Sequence, residues 1–259
     1  MIKRLFNRND NIAILIAGIF SIIIGLGVAR FAFTGLIPAM LDDYLTIKFV
    51  GILASLNFAG YLSGSIFSIF VKDINFKVYL YRFGIFLAIS TTFILAYSDN
   101  NTLWMIGRVL AGFAGAMCLI VGTSIVMQKL TIKSKTKAMG IHFSGIGFSI
   151  LTTDLLARFV LSLNYTWRDS WAVLSVFAII LSLYSVYILS FDKEVKQNAV
   201  KVKFDISIFT PFVIVLIIAY FTEGVGFVVQ ATFLPDIINN LKGLEGYGSL
   251  TWTLVGVAG

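Results

Sequence analysis

The sequence is poor in charge. Lys, Arg, Asp and Glu make up 13% of its 259 residues, against about 25% in soluble domains. A soluble core needs a polar shell, and too few charges are present to form one. Proline is scarce, at 3 residues. The single cysteine, Cys118, excludes an internal disulfide, a disulfide framework and a cysteine-rich metal site. It lies within an apolar run, where packing is its expected role. One histidine, His142, and no HExxH pair leave few ligands or nucleophiles for a membrane-embedded enzyme. No GxxxxGK[ST] loop is present, so ATP-driven transport would need a separate subunit. No cofactor is implied.

What is present is apolar. Hydrophobic residues reach 58%, Phe alone supplies 24, and the mean hydropathy is +0.93. Seven stretches have the roughly 20 apolar residues that a spanning helix needs. They are Ile12–Leu41, Phe49–Val71, Val78–Ser98, Thr102–Gln128, Ala138–Leu163, Ser170–Phe191 and Ile206–Ile238. A partial eighth runs from Gly246 to the end. The basic start, Met1–Asp10, resembles a signal peptide, but the following run is too long and no small-residue cleavage site ends it. It reads as a retained first helix.

The net charge of +7 does not point to nucleic acid, because the basic residues sit in short gaps between apolar runs. One alternating set of gaps holds Lys3, Arg4, Arg8, Lys72, Lys77, Arg82, Lys129, Lys133, Lys135, Lys137, Lys193, Lys196, Lys201 and Lys203. The other set holds Lys48, Arg158, Arg168 and Lys242. The positive-inside rule then places the N-terminus in the cytoplasm. The cytoplasmic lysines are topology determinants first and contacts for anionic lipid second.

The first and seventh runs resemble each other. Gly25-Leu-Gly27 precedes Thr34-Gly-Leu-Ile-Pro38, and Gly224-Val-Gly226 precedes Ala231-Thr-Phe-Leu-Pro235. The two prolines are 197 residues apart. Parallel repeats of six helices are a transporter architecture, and two such repeats would fill a chain of about 394 residues. Gly246–Gly259 would make roughly 21 Å of helix, short of a hydrocarbon core of about 30 Å. The expectation is a chain holding the first half and the opening of the second. Its parts are a six-helix bundle over 1–191, a basic cytoplasmic loop over 192–205, and the start of a second bundle over 206–259.

Charges inside the runs cost about 2.5–3.5 kcal/mol each at the bilayer centre, so they mark cavities or partners. Arg30, Arg108, Asp154 and Glu223 are the candidates. Arg108 and Asp154 lie on consecutive antiparallel helices at depths differing by roughly 6 Å, which allows them to pair. Arg30 lies at a depth similar to Asp154, so a cluster is expected in the outer half of the first bundle. It reads either as a substrate or proton site or as a structural ion pair with snorkelling ends. Glu223 reads as a proton carrier or as a carboxylate bonded to a neighbouring helix, and Gln230 shares its face. Asn57, Tyr61, Gly64 and Ser68 form one stripe, which lines a cavity or packs closely against another helix. Gly112 and Gly115 share the face of Arg108 and leave room for a solute or a helix. Gly107, Ala111 and Gly115 form a ridge that reads as packing. His142 reads as an interface residue, and Asp42 and Asp43 as solvated loop acids.

Several segments resemble one family. Gly25-Leu-Gly-Val-Ala-Arg30-Phe-Ala-Phe-Thr34 with Pro38-Ala-Met, Asn57-Phe-Ala-Gly60-Tyr-Leu-Ser-Gly64, and Arg108-Val-Leu-Ala-Gly112 are three. Gly140 through Gly147, Trp167-Arg-Asp-Ser-Trp171, and Glu223-Gly-Val-Gly226 with Ala231-Thr-Phe-Leu-Pro235 are three more. In this order they resemble the YbfB/YjiJ-like branch of the major facilitator superfamily. Lys72-Asp73-Ile-Asn-Phe-Lys77 departs from that superfamily, keeping one acid and two bases where an Asp-Arg pair and a basic cluster are usual. The resemblance implies an all-α polytopic bundle in the bacterial inner membrane. It implies transport and little about the cargo; the charges inside the runs add the expectation of proton-coupled secondary transport of a small polar solute by alternating access. The alternative is a truncated, split or nonfunctional remnant that needs a missing C-terminal half.

Overall fold

A computed structural model describes residues 6–41, 43–131, 135–190 and 208–258. It gives the side chains of all of these except Val229, Ala231 and Ser249. The described residues form eight helical rods and no strand. They are α1 (Asn11–Leu41), α2 (Ile47–Phe70), α3 (Ile74–Tyr97), α4 (Asn101–Lys129), α5 (Lys135–Ser162), α6 (Trp167–Ile188), α7 (Pro211–Asn239) and α8 (Gly248–Ala258). Seven are long and apolar enough to cross a membrane, as the composition requires. Lys3, Arg4, Asp42, Lys133 and the basic loop 192–205 lie outside the described residues.

The helices begin where a polar residue can accept from an end N–H. Asp10 accepts from the Ile12 amide, Thr46 from Phe49, Asp73 from Phe76, and Asn100 from Thr102 and Leu103. Thr166 and Asp169 form a reciprocal capping box at α6, and Thr210 caps α7 before Pro211. These caps satisfy donors that have no partner within the helix. They lie outside the apolar runs, which is why α3 starts at Ile74 and α6 at Trp167, a few residues before the hydrophobic stretch.

α1 is the most apolar helix, and it is the central one. Of its most apolar window 78% is buried, against 33% for α2 and 39% for α6. It runs between α4 and α5 and also meets α3 and α6. Its middle, Ile23–Phe31, is π-helical, as is Met117–Val121 of α4. The two widened stretches face each other. A Cβ placed on Gly25 would lie 2.3 Å from the Cβ of Cys118. Cys118 is fully buried and free.

α2 and α4 approach through glycine. A Cβ on Gly60 would sit 1.9 Å from the Val109 carbonyl oxygen, and one on Gly112 would sit 1.9 Å from that of Asn57. The expected packing ridge on α4 holds only in part. Gly115 abuts the Gly25 carbonyl, whereas Gly107 has nothing within 4 Å.

α7 divides into two parts. None of Pro211–Val228 is buried among the described residues. Its C-terminal part packs on α1 and α8, with Thr232 buried. α8 in turn lies along α5, where a Cβ on Gly256 would stand 2.7 Å from the Leu151 amide. Trp252 of α8 is 2% exposed and meets Phe31 edge to face at 6.0 Å.

At the end of the bundle opposite the N-terminus, Tyr44, Trp104 and Trp167 cluster, with Tyr44 stacked on Trp167 and Trp104 edge to face with it. Trp167 donates to Asp43 at 2.9 Å, and Arg168 pairs with Asp99. Asp43 is therefore exposed but bonded, a correction to its expected role as a simply solvated acid. The aromatic plane of Trp167 brings a donor within reach of the loop.

Candidate functional site

A small chamber lies where α1, α2, α4 and α7 meet. Arg30, Phe31, Phe33 and Thr34 line it from α1, Ala54, Asn57 and Phe58 from α2, Arg108 from α4 and Thr232 from α7. Counted along each helix, these positions lie roughly 10–17 Å from the helix ends on the face opposite the N-terminus. The volume is ≈ 10 Å³, room for about one water.

Arg108 is 2% exposed. Its Nη1 donates to the carbonyl of Ala29 at 3.0 Å, and its guanidinium lies 4.3 Å from the centre of the Phe33 ring. Its Nε has no partner among the described residues. Asn57 donates through Nδ2 to the Arg108 carbonyl at 3.0 Å, and its Oδ1 has no partner among the described residues. Arg30 rests on aromatic faces, with its guanidinium 4.2 Å from Phe58 and 5.2 Å from Tyr61. Such contacts offset part of the desolvation of a cation. Neither arginine has an ion pair among the described residues.

The structure thus brings Arg30, Asn57 and Arg108 together, with Tyr61 beneath Arg30. It does not bring Asp154 to them. Asp154 lies at similar depth on α5, 3% exposed, and its Oδ2 accepts from Arg158 Nε at 2.9 Å and from Thr253 Oγ1 of α8 at 2.5 Å. The expected Arg108–Asp154 pair does not form because α1 lies between the two helices. Phe33 covers Arg108 on one side of α1, and Gly35 stands beside Asp154 on the other. Consecutive helices are not neighbours at this point, and depth along the axis carries no information about what lies between.

Gly112 belongs to the α2–α4 contact and not to the chamber. Glu223 is exposed on the uncovered part of α7, far along the helix from Thr232. Gln230 lines a second, apolar cavity of ≈ 230 Å³ with Phe31, Ile150, Phe227 and Trp252. His142 is fully buried, with Nε2 2.9 Å from the Thr123 hydroxyl and its ring against Gly18. Thr232 and Phe58 were missed by sequence reasoning. Thr232 stands beside Ala231 in the repeat that matches Thr34 of α1, which was the available signal. Among the described residues no cluster of side chains suits a metal.

A family profile described as uncharacterised MFS-type transporter YbfB matches residues 22–259. The chain belongs to that family. This major facilitator family membership agrees with the seven apolar helices and identifies a multi-pass membrane protein of transporter type. The chain is also similar to a protein described as a TsgA homolog from Buchnera aphidicola subsp. Baizongia pistaciae (strain Bp). The two are 24% identical over 161 residues, covering 61% of this chain and 41% of the relative. The chain therefore matches less than half the length of that curated relative. Within the YbfB-type frame, the chamber joins the first six helices to the seventh.

Proposed function

We propose that the protein works in secondary active transport of a small polar solute by alternating access, with the Arg30–Asn57–Arg108 chamber as the solute site. The observation that carries this reading is the buried Arg108 guanidinium and the half-buried Arg30 guanidinium beside an amide oxygen unpartnered among the described residues, at the junction of α1, α2 and α4 with α7. Transporter sites of this architecture lie near the midplane between repeats, and rocking of one repeat against the other alternates their access. Residues 1–191 would be the first rocking body and 206–259 the start of the second, joined by the loop 192–205. The basic face is assigned to the cytoplasm and the membrane to the bacterial inner membrane.

Proton coupling is assigned to Asp154. Asp154 is a buried carboxylate that ties α5 to α8 through Thr253 and also holds Arg158, which places it at the contact between the two bundles. The test is uptake of labelled small polar solutes into proteoliposomes under an inward proton gradient. At least one solute should enter, and a protonophore should abolish its uptake. Uptake indifferent to the protonophore would remove the coupling, and uptake of none would sink the transport reading.

A second reading is favoured by one observation. The surface of Pro211–Val228 is apolar and uncovered, yet it carries Glu223. Lipid covers apolar surface but not a carboxylate, which at that depth needs a polar partner. On this reading the chain acts only with a further helical half. An antibody to the 192–205 loop would then detect a membrane species of roughly 394 residues or a complex of that size. A stable species at 28.6 kDa without partner would count against it.

A further inference from the structure

Arg30 and Arg108 present two positive charges to one chamber, and the described residues supply no carboxylate to balance them. Asp154, at similar depth, is committed to Arg158 and Thr253 on the far side of α1. Burying a charge without a partner is costly, and two like charges together add to the cost. Aromatic faces offset part of this and neutralise none of it. The arrangement is balanced when an anion enters. A guanidinium is suited to the task because its planar fork bonds a carboxylate through two parallel N–H groups.

The remaining polar group defines the ligand further. Asn57 uses Nδ2 on the Arg108 carbonyl, which fixes its orientation and leaves Oδ1 as a buried acceptor without a donor among the described residues. A water would satisfy Oδ1 but would leave the two charges unbalanced. Phe31, Phe33 and Phe58 form much of the wall. Such a wall suits a ligand with a carbon skeleton better than a strongly hydrated inorganic ion. We propose that the chamber binds a small organic acid, with one or two carboxylates on Arg30 and Arg108 and an adjacent hydroxyl or amino group donating to Asn57 Oδ1. This rests on the transport reading for its location and names the solute class for that site. Room for such a ligand comes from displacement of α7, whose Thr232 forms one wall.

The test uses the full chain in detergent and reads thermal stability against four probes: malate, lactate, the neutral diamide malamide, and inorganic phosphate. Malate or lactate should raise the Tm, while malamide and phosphate should not. Arg30→Gln should weaken malate at least tenfold, and Arg30→Lys, which keeps the charge, should weaken it less. Arg30 is preferred to Arg108 because among the described residues it holds no backbone carbonyl, so its loss spares the Arg108–Ala29 bond between α4 and α1. Equal stabilisation by malamide overturns the anion, and equal stabilisation by phosphate overturns the organic acid. An Arg30→Gln protein that binds malate as well as the parent, or a parent that none of the probes shifts, overturns the assignment altogether. Labelled malate counterflow in liposomes separates the two claims. Binding without exchange supports the assignment and fails the transport reading. Exchange of a neutral solute that ignores Arg30→Gln keeps transport and overturns the assignment.

Discussion

A guanidinium inside a membrane needs something to offset its lost hydration, and Arg30 and Arg108 meet the need differently. Arg108 is tied to the Ala29 carbonyl and covered by Phe33, so it fastens α4 to α1 as well as facing the chamber. Arg30 lies on rings without a hydrogen bond among the described residues. Arg108→Gln should therefore cost about 1.5–3 kcal/mol, the range for a bond from a charged group. That is a fall in Tm of several degrees for a chain of this length. Arg30→Gln should leave Tm nearly unchanged. Thermal denaturation in detergent measures both, and equal losses would contradict this division of roles. Glycine offers a second contrast at this scale. Gly60→Ala and Gly112→Ala drive a methyl into carbonyl oxygens of the facing helix, and rigid backbone cannot yield as a side chain can. Both should lose Tm, while Gly107→Ala, with open space beside it, should match or exceed the parent protein because alanine favours helix. Candidate residues such as Arg30, Asn57 and Arg108 were legible because buried polar groups stand out in apolar runs. Their grouping was not, since it depends on lateral neighbours that a depth count does not resolve.

Among the elements, the spans were legible to within a few residues, because length and apolarity decide a membrane helix. Their ends were less so, since caps such as Asp73 and Thr166 lie in the polar gaps. The π-helical stretches were not legible at all. They appear where Gly25 allows α1 and α4 to touch at Cys118, a tertiary cause. α8 shows how a short element can dock by shape. Its Gly256 lies on the Leu151 backbone and its Trp252 fills a space against Phe31 and Ile150. Gly256→Leu should displace α8 and bring Trp252 into contact with lipid or water. The check is quenching of tryptophan emission in a variant that keeps only Trp252. Unchanged quenching would show that the docking does not depend on this close approach.

At the scale of the whole molecule, the alternation of basic gaps and the distribution of burial are separate observations. Burial makes α1 the axis of the described bundle and leaves the first part of α7 bare. The basic gaps predict orientation. Membrane-impermeant thiol reagents added to cells, in a Cys118→Ser background, should label a cysteine replacing Asn100 and not one replacing Lys77. The reverse pattern would invert the assigned topology. Neither observation was enough to foresee that a chamber closes against Thr232, because that requires knowing which face of α7 meets α1 and α2.

The central claim is that the chamber opens in turn to the two sides of the membrane. Ala54 is 6% exposed and lines the chamber from α2, and a cysteine there is a small change. The measurement is labelling of Ala54→Cys, in the Cys118→Ser background, by an impermeant thiol reagent applied to right-side-out and to inside-out vesicles. Labelling from both sides, slowed from both by the transported solute, is the expected result. Labelling from one side alone, or from neither, would contradict alternating access at this site.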